Sequence, residues 1–212
     1  MNRIPLRRCI LYFAGLVVLA FGITLNTKTQ LGVSPLMSVA YNVSEIWNLP
    51  FGVVSFVYYL FMILLQMLLL GKDFHLFQFA QVLTSFISSY FMQLFSDILP
   101  LFETTLTKIL GMVVGIILTG TGAAMSVSAH LAPNPGDGLA DAVGKRFRKD
   151  MGFGKNLIDF TALVCALIIG FVFTGGILGV GIGTAMAMLF TGRVIAVEFA
   201  LVKKWKEGRQ GI

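Results

Sequence analysis

Charge is the first thing that this chain has little of. Asp, Glu, Lys and Arg together make up 12% of its 212 residues, about half of the share found in soluble domains. Two histidines and two cysteines leave little material for metal binding, and Cys9 and Cys165 lie far apart in sequence. No hydrolase triad, metal-ligand spacing or phosphate-binding loop occurs. The sequence therefore predicts that the chain is not an enzyme and has no cofactor and no metal.

Long uncharged runs take the place of the missing charge. Hydrophobic residues make up 57% of the chain, and the mean hydropathy is +0.86. A helix needs about 20 mostly apolar residues to cross a bilayer. Stretches near that length contain no Asp, Glu, Lys or Arg at 10–25, 51–70, 74–96, 109–136 and 160–192. The sequence therefore predicts an all-α, polytopic membrane protein without a soluble domain. The first run is longer than the apolar part of a signal peptide, so we interpret it as a retained membrane helix.

Positive charge is concentrated in three clusters. The net charge is +6, and twelve of the 16 Lys and Arg residues lie in these clusters. They are Arg3/Arg7/Arg8, Lys145/Arg146/Arg148/Lys149/Lys155 and Lys203/Lys204/Lys206/Arg209. Such clusters mark cytoplasmic loops and suit an anionic membrane surface. We expect a multi-pass protein with both termini in the cytoplasm, with the lipid bilayer and not nucleic acid as its partner.

The two halves of the chain present the same features in the same order. At an offset of 100 residues, identical residues occur at 22 and 122, 31 and 131, 35 and 135, 40 and 140, and 43 and 143. A two-residue insertion then changes the offset to 102 and aligns Phe51-Gly52 with Phe153-Gly154. Internal repeats are common in transporters. We interpret 1–100 and 101–212 as two membrane repeats within one membrane domain.

Each half is predicted to hold three long helices and one short one. The long ones span about 10–29, 52–71, 76–98, 109–129, 156–174 and 177–201, and the short ones 35–48 and 135–147. Pro35 and Pro135 suit the first turn of a helix, with Ser34 and Asn134 as N-caps. At roughly 20 Å, the short helices would not cross a hydrocarbon core of about 30 Å.

Two topologies follow from this pattern. If the short helices do not span, about six helices cross the membrane as 3+3, and the two halves are inverted relative to each other. If they do span, eight helices cross as 4+4, and the halves are parallel. All three basic clusters stay on one side in both cases, and only Lys72 and Lys108 change sides. The short length and polar residues of 35–48 and 135–147 favour the 3+3 arrangement.

The breaks before the short helices resemble a known family. The segment Gly22-x₈-Leu31-Gly32-Val33-Ser34-Pro35 and its echo Leu131-Ala132-Pro133-Asn134-Pro135-Gly136-Asp137-Gly138-Leu139 are similar to the YczE/YitT-type bacterial integral membrane proteins. Phe153-Gly154 and the segment 181–184 resemble that family too, so the likeness covers about 10–200. The resemblance implies a bacterial cytoplasmic (inner) membrane protein and leaves the substrate open. Where the family often reads Pro-Trp-Asp in the first copy, this chain reads Pro35-Leu36-Met37, so only the second copy keeps the acid.

Ionisable side chains inside membrane spans are costly and point to function. Asp137 and Asp141 lie one turn apart on the second short helix, close to its positively polarised N-terminus. We expect Asp137 either to balance that dipole or to bind a proton, a cation or a basic group of a substrate. Asp141 either belongs to the same site or points towards the cytoplasmic loop.

Further candidates flank the breaks and the last helices. His130 either makes structural hydrogen bonds or relays protons to Asp137, and Gln30 is its uncharged counterpart. Arg193 lies deep in the last long helix, and Asp159 lies near the cytoplasmic end of the fifth. The two either form an ion pair, or Arg193 extends to the interface. Gln66, Gln81 and Gln93 are expected to face the interior of the bundle. The predicted substrate- or ion-binding residues are Asp137, Asp141, His130, Asn134, Gln30, Ser34, Arg193 and Asp159.

These features predict a small secondary transporter or permease for an unidentified small solute. The solute would cross between the repeats, along the breaks at 31–38 and 131–141. The alternative is a non-transporting membrane regulator that holds a partner protein on its basic segment 145–149. A third hypothesis is the substrate-binding subunit of a larger importer. Association into a homo-oligomer, or with a membrane partner, is compatible with each.

Overall fold

The structure is a computed structural model that describes the backbone of residues 5–210 and the side chains of residues 5–201. Arg3 and the side chains of the C-terminal basic cluster at 203–209 lie outside the described part. Helices account for 82% of the residues, and the described backbone contains no strand. The predicted all-α class is confirmed.

Within the described part, eight α-helices follow one another along the chain. They are α1 (Leu6–Thr29), α2 (Pro35–Ile46), α3 (Phe51–Leu70), α4 (Ala80–Ile98), α5 (Thr105–Ser128), α6 (Pro135–Arg146), α7 (Met151–Thr174) and α8 (Ile182–Gln210). Two short 3₁₀ turns, Gly71–Asp73 and Leu76–Phe79, connect α3 to α4. The six long and two short helices expected from the sequence are present, and most boundaries agree within a few residues.

Five of the long helices are long and apolar enough to cross a membrane: α1, α3, α5, α7 and α8. The sixth, α4, falls short because it carries many hydroxyl and amide side chains. These polar residues lie on its buried face, at Gln81, Thr84, Ser85, Ser88 and Ser89. The surface that α4 presents outward is apolar, with Leu83, Phe86 and Tyr90 among its exposed residues. Mean hydropathy therefore understates how apolar its outer face is.

The helices α1 and α5 form the central seam of the bundle. Gly15 packs on Ser126, Gly22 on Thr119, and Asn26 on Gly115. Because the position on α5 falls as the position on α1 rises, the two helices run antiparallel. A side chain at Gly22 would collide with the backbone of Thr119, so glycine permits this close approach. The first helix of each half therefore meets its counterpart in opposite orientation.

The two short helices begin next to each other in the middle of the bundle. Leu36 of α2 lies against Gly136 of α6, and Met37 and Leu139 belong to one buried cluster with Leu19 of α1. From there the two helices run in opposite directions. The helix α2 runs to the end of the bundle where α1 ends, α3 begins and α4 ends, called the Thr29 end. The helix α6 runs to the opposite, Leu6 end, where α1 begins.

The backbone repeats its local geometry at an offset of 100 residues. Among the described non-glycine residues, positive φ angles occur at Gln30 and Asn48, and again at His130 and Arg148. These residues end α1, α2, α5 and α6 in the same left-handed conformation. The helices α3 and α7 begin at 51 and 151, so the offset of 100 continues to that point. The predicted change to 102, based on Phe51-Gly52 and Phe153-Gly154, is wrong at these helix starts.

Neighbouring helices are also matched between the halves, with one exception. The helix α2 packs on α7 as α6 packs on α3, and α1 packs on α4 as α5 packs on α8. The helix α3 also packs along α4, whereas the described parts of α7 and α8 have little contact with each other. The second half is therefore more open than the first along the side of α7.

Candidate functional site

Three charged side chains meet where α6 lies against α7. The Nζ of Lys155 lies 3.8 Å from Oδ1 of Asp137 and 4.0 Å from Oδ2 of Asp159. Asp137 is in the first turn of α6, and Lys155 and Asp159 are one turn apart on α7. The three side chains are partly covered, with 25% of Asp137, 42% of Lys155 and 14% of Asp159 exposed. We call this group the acidic cluster.

The cluster holds two carboxylates against a single ammonium group. Both distances exceed the roughly 2.7–2.9 Å of a tight charge-assisted hydrogen bond, so Lys155 bridges the two acids loosely. With all three groups ionised the cluster has a net charge of −1. The start of α6 adds a positive helix end beside Asp137. A negative charge in this setting is chemically suited to a proton or a small cation.

The start of α6 is held in place by buried amides. Gln66 and Gln81 are fully buried and exchange two hydrogen bonds, of 3.1 and 3.0 Å. The Nε2 of Gln66 also donates to the carbonyl oxygen of Pro135 at 3.0 Å. Gly138 packs directly on both amides. The predicted inward orientation of Gln66 and Gln81 is confirmed, whereas Gln93 is only half-buried.

Capping differs between the two short helices. The side chain of Asn134 accepts a hydrogen bond from the backbone N–H of Gly136 at 3.0 Å, as predicted for an N-cap. The side chain of Ser34 makes no such bond. Its carbonyl oxygen instead accepts from the N–H groups of Met37 and Ser38. Asn134 is therefore a neighbour of the acidic cluster that fixes the α6 backbone.

The other predicted residues lie elsewhere. Asp141 pairs with Lys145 at 2.6 Å on an exposed face of α6. His130 and Gln30 are exposed and adopt the left-handed conformation that ends α5 and α1, and Gln30 accepts from Nζ of Lys108 at 3.2 Å. These positions explain their polar character through helix termination.

Arg193 lies over the ring of Phe190, 5.4 Å from its centroid. The ion pair suggested between Arg193 and Asp159 is not formed in the described structure, where Asp159 faces Lys155 instead. Sequence reasoning assigned Lys155 to a basic surface cluster and missed this role. Its position four residues before Asp159, at the start of an apolar run, is the pattern that indicates such a pair.

The first half has no counterpart of the acidic cluster. At the offset of 100, the positions of Asp137, Lys155 and Asp159 are taken by Met37, Ser55 and Tyr59. All three are buried. Among the described residues, no group of three or more His, Cys, Asp and Glu side chains has the arrangement of a metal site.

Long apolar helices around a partly covered charged group define a multi-pass membrane protein. A family model described as a family of unknown function, DUF6198, matches residues 6–198, and the chain belongs to this family. It is 28% identical to the uncharacterized membrane protein YczE of Bacillus subtilis (strain 168) over 190 residues, covering 87% of this chain and 81% of that protein. It is 24% identical to the uncharacterized protein YyaS of the same organism over 196 residues, covering 91% and 92%.

The expected resemblance to YczE-type membrane proteins is confirmed by these matches. No solved structure matches the chain.

Proposed function

We propose that this protein is a small secondary transporter of the cytoplasmic membrane, and that the acidic cluster binds its coupling proton or cation. The observation that carries the proposal is the placement of Asp137, Lys155 and Asp159 beside the start of a short helix in the middle of an apolar bundle. Charged groups inside membrane proteins are costly and mark ion or substrate pathways. Short helices that end near the bilayer midplane are typical of transporter binding sites.

The architecture of the proposal is two inverted repeats of three spanning helices each. It is supported by the antiparallel seam of α1 and α5 and by the paired backbone conformations at an offset of 100. The helix α2 leaves the bundle at the Thr29 end, where α1 ends and α3 begins, so it does not cross. The helix α6 behaves in the same way at the Leu6 end. Inverted repeats of this kind give a transporter two related conformations, one open to each side.

The orientation of the proposal follows from the positive charges. Arg7, Arg8 and Lys72 lie at the Leu6 end, together with the basic residues at 145–149 at the end of α6 and just after it. Only Lys28 and Lys108 are placed at the Thr29 end in the described chain. The positive-inside rule then places the Leu6 end, and with it the N-terminus, in the cytoplasm. The acidic cluster would be reached from that side.

Proton-coupled flux in proteoliposomes tests the proposal. Vesicles containing a lumenal pH dye are exposed in turn to a panel of amino acids, sugars and organic acids, and exchange of the radiolabelled solute is followed in parallel. At least one solute should change the lumenal pH with the wild-type chain. Asp137→Asn and Asp159→Asn should reduce that proton flux at least about tenfold, since each removes one of the two carboxylates.

Glu103→Gln is the matched control, because it neutralises an exposed acid in the loop before α5 and should leave the flux unchanged. Wild-type proton flux in a monodisperse Asp137→Asn protein would refute the role of the cluster. No exchange of any solute by the wild-type chain would refute transport.

A second candidate function is a membrane regulator that binds a partner at the Leu6 end. One observation favours it: Phe147 is 57% exposed in the middle of the basic segment 145–149, next to Phe153. An aromatic ring among cations offers both apolar and electrostatic contact. If this is the function, Phe147→Ser with Arg148→Gln should abolish partner capture while membrane insertion stays normal. Transport predicts that the same variant keeps its flux.

A further inference from the structure

A second polar site lies at the Thr29 end, opposite the acidic cluster. The last turn of α1, the helix α2, the start of α3 and the end of α4 line a partly open cavity of about 210 Å³, where Glu45 and Gln30 are exposed. Its lining includes Lys28, Gln30, Tyr41, Glu45 and Phe51. The volume is below the roughly 300–1,000 Å³ of pockets for drug-sized ligands. The cavity therefore fits a small solute.

The cavity carries one charge of each sign, and neither forms an ion pair with a described side chain. The three ion pairs among the described side chains all lie between residues 137 and 159, so Lys28 and Glu45 are not paired with each other or with another described residue. Lys28 is half-buried. A partly buried ammonium group is stabilised by a nearby negative charge, because burial of an unpaired charge is costly.

The matched positions in the second half show why Glu45 stays unpaired. At the offset of 100, Tyr41 and Glu45 correspond to Asp141 and Lys145, which neutralise each other at 2.6 Å. In the first half the same turn of helix holds a tyrosine and an acid, so no pairing within the helix is available to Glu45. Its carboxylate is left to face the cavity that Lys28 also lines.

Aromatic surface lies beside this acid. The rings of Tyr41 and Phe51 line the cavity and contact each other edge to face, with centroids 6.3 Å apart. Aromatic rings attract amine-derived cations, and a carboxylate next to them strengthens that preference. Lys28, which also lines the cavity, offers its ammonium group to an anion. The side chain of Gln30 adds a hydrogen-bonding group there.

We infer that this cavity binds a small zwitterion, with its carboxylate at Lys28 and its cationic amine at Glu45 beside the rings of Tyr41 and Phe51. This inference rests on the proposed transport function and names the class of its solute. A primary amine, as in an α-amino acid, and a quaternary amine, as in a betaine, share this chemistry.

Equilibrium binding to the purified full chain in lipid nanodiscs tests the inference. The probes are radiolabelled L-alanine and trimethylglycine as the two zwitterions, with propionate and ethylamine as analogues that keep one charge each. At least one zwitterion should bind saturably, and each analogue should bind at least about tenfold more weakly, since one charged contact is lost. The relative affinity of alanine and trimethylglycine identifies the kind of amine.

Lys28→Gln and Glu45→Gln should each weaken zwitterion binding at least about tenfold, whereas Lys28→Arg should keep it. Lys72→Gln and Glu103→Gln are matched controls for the loss of a surface charge and should bind like the wild type. If neither zwitterion binds to monodisperse wild-type protein, or if both glutamine variants bind as the wild type does, the inference is overturned.

Binding needs no proton gradient, so the result is separate from that of the flux measurement. Proton flux driven by a different solute, with no zwitterion bound, would overturn this inference and leave transport standing. Zwitterion binding that depends on Lys28 and Glu45, with no solute exchange in proteoliposomes, would support this site and overturn the transport proposal.

Discussion

The two short helices share a backbone and differ in their chemistry. Both begin with proline in the centre of the bundle, both have 12 residues, and both are followed by a residue pair in which the second adopts a positive φ. In α6, Asp137 lies in the first turn, and Asp141 forms an ion pair with Lys145. In α2, Met37 takes the place of Asp137, and Glu45 has no ion-pair partner among the described residues. The backbone geometry follows from Pro, Gly and polar caps. The charged residues on this shared backbone differ between α2, which runs to the Thr29 end, and α6, which runs to the Leu6 end.

This difference suggests a division of labour. The second half carries a partly covered group of charges, the acidic cluster, at the junction of α6 and α7. The first half carries its charges near the Thr29 end, around a cavity. A transporter with one ion-binding region and one solute-binding region needs such an asymmetry, because two identical halves would offer two identical sites.

The largest effect is expected at the seam that joins the halves. A leucine at Gly22 cannot fit against the backbone of Thr119. Overpacking costs about 1–3 kcal/mol and occasionally more, and we expect the upper end of this range because the collision is with backbone. Gly22→Leu should therefore abolish monodisperse protein or sharply lower the midpoint of unfolding in an SDS titration. Gly192→Leu is the control, since no described atom lies within 4 Å of a Cβ added at this position. Equal behaviour of the two variants would argue against the antiparallel seam.

A smaller loss is expected where buried amides hold α6. Gln66→Leu leaves the amide of Gln81 without its partner and removes a hydrogen bond to the carbonyl of Pro135, at a cost of about 1–3 kcal/mol in the free energy of unfolding. Adding Gln81→Leu should recover part of that cost, because apolar side chains then replace both amides and no buried amide is left without a partner. The same SDS titration measures both variants. A double variant less stable than either single one would contradict the reciprocal pair.

The smallest predicted effect compares the caps of the two short helices directly. Asn134→Ala removes a side-chain cap and should cost about 1 kcal/mol of stability. Ser34→Ala removes no cap bond and should have a clearly smaller effect. Chemical unfolding of both variants under one condition gives the difference. Equal losses would mean that the caps are alike and the structural contrast is not real.

The elements of the fold were largely predictable from the sequence. The uncharged runs predicted the long helices. The starts of the short helices were predicted from Pro35 and Pro135, each preceded by a possible N-cap, Ser34 or Asn134. The apolar runs work well here because each helix must satisfy its own backbone within the bilayer. The polar α4 was also predicted as a helix, although its composition is less apolar than that of the others.

The assembly of the site was harder to predict. Asp137 and Asp159 were both recognised as candidates, but their meeting through Lys155 depends on α7 folding back along α6. That contact joins residues of different helices and has no local pattern. The expected partner of Asp159, Arg193, lies on a helix that packs mainly on α5, because the described parts of α7 and α8 have little contact. The unpaired charges of Lys28 and Glu45 were likewise visible only once α1 and α2 were placed together.

The most direct test of the central claim, that the two halves are inverted, is the side from which single cysteines react. In a chain with Cys9 and Cys165 replaced by serine, Glu103→Cys lies in the loop before α5 and Phe147→Cys lies in the basic segment after α6; both positions are exposed. A membrane-impermeant maleimide added to intact cells should label position 103. Position 147 should react only after the membrane is permeabilised. Labelling of position 103 only from the cytoplasmic side would contradict the inverted halves and favour eight spanning helices in parallel repeats.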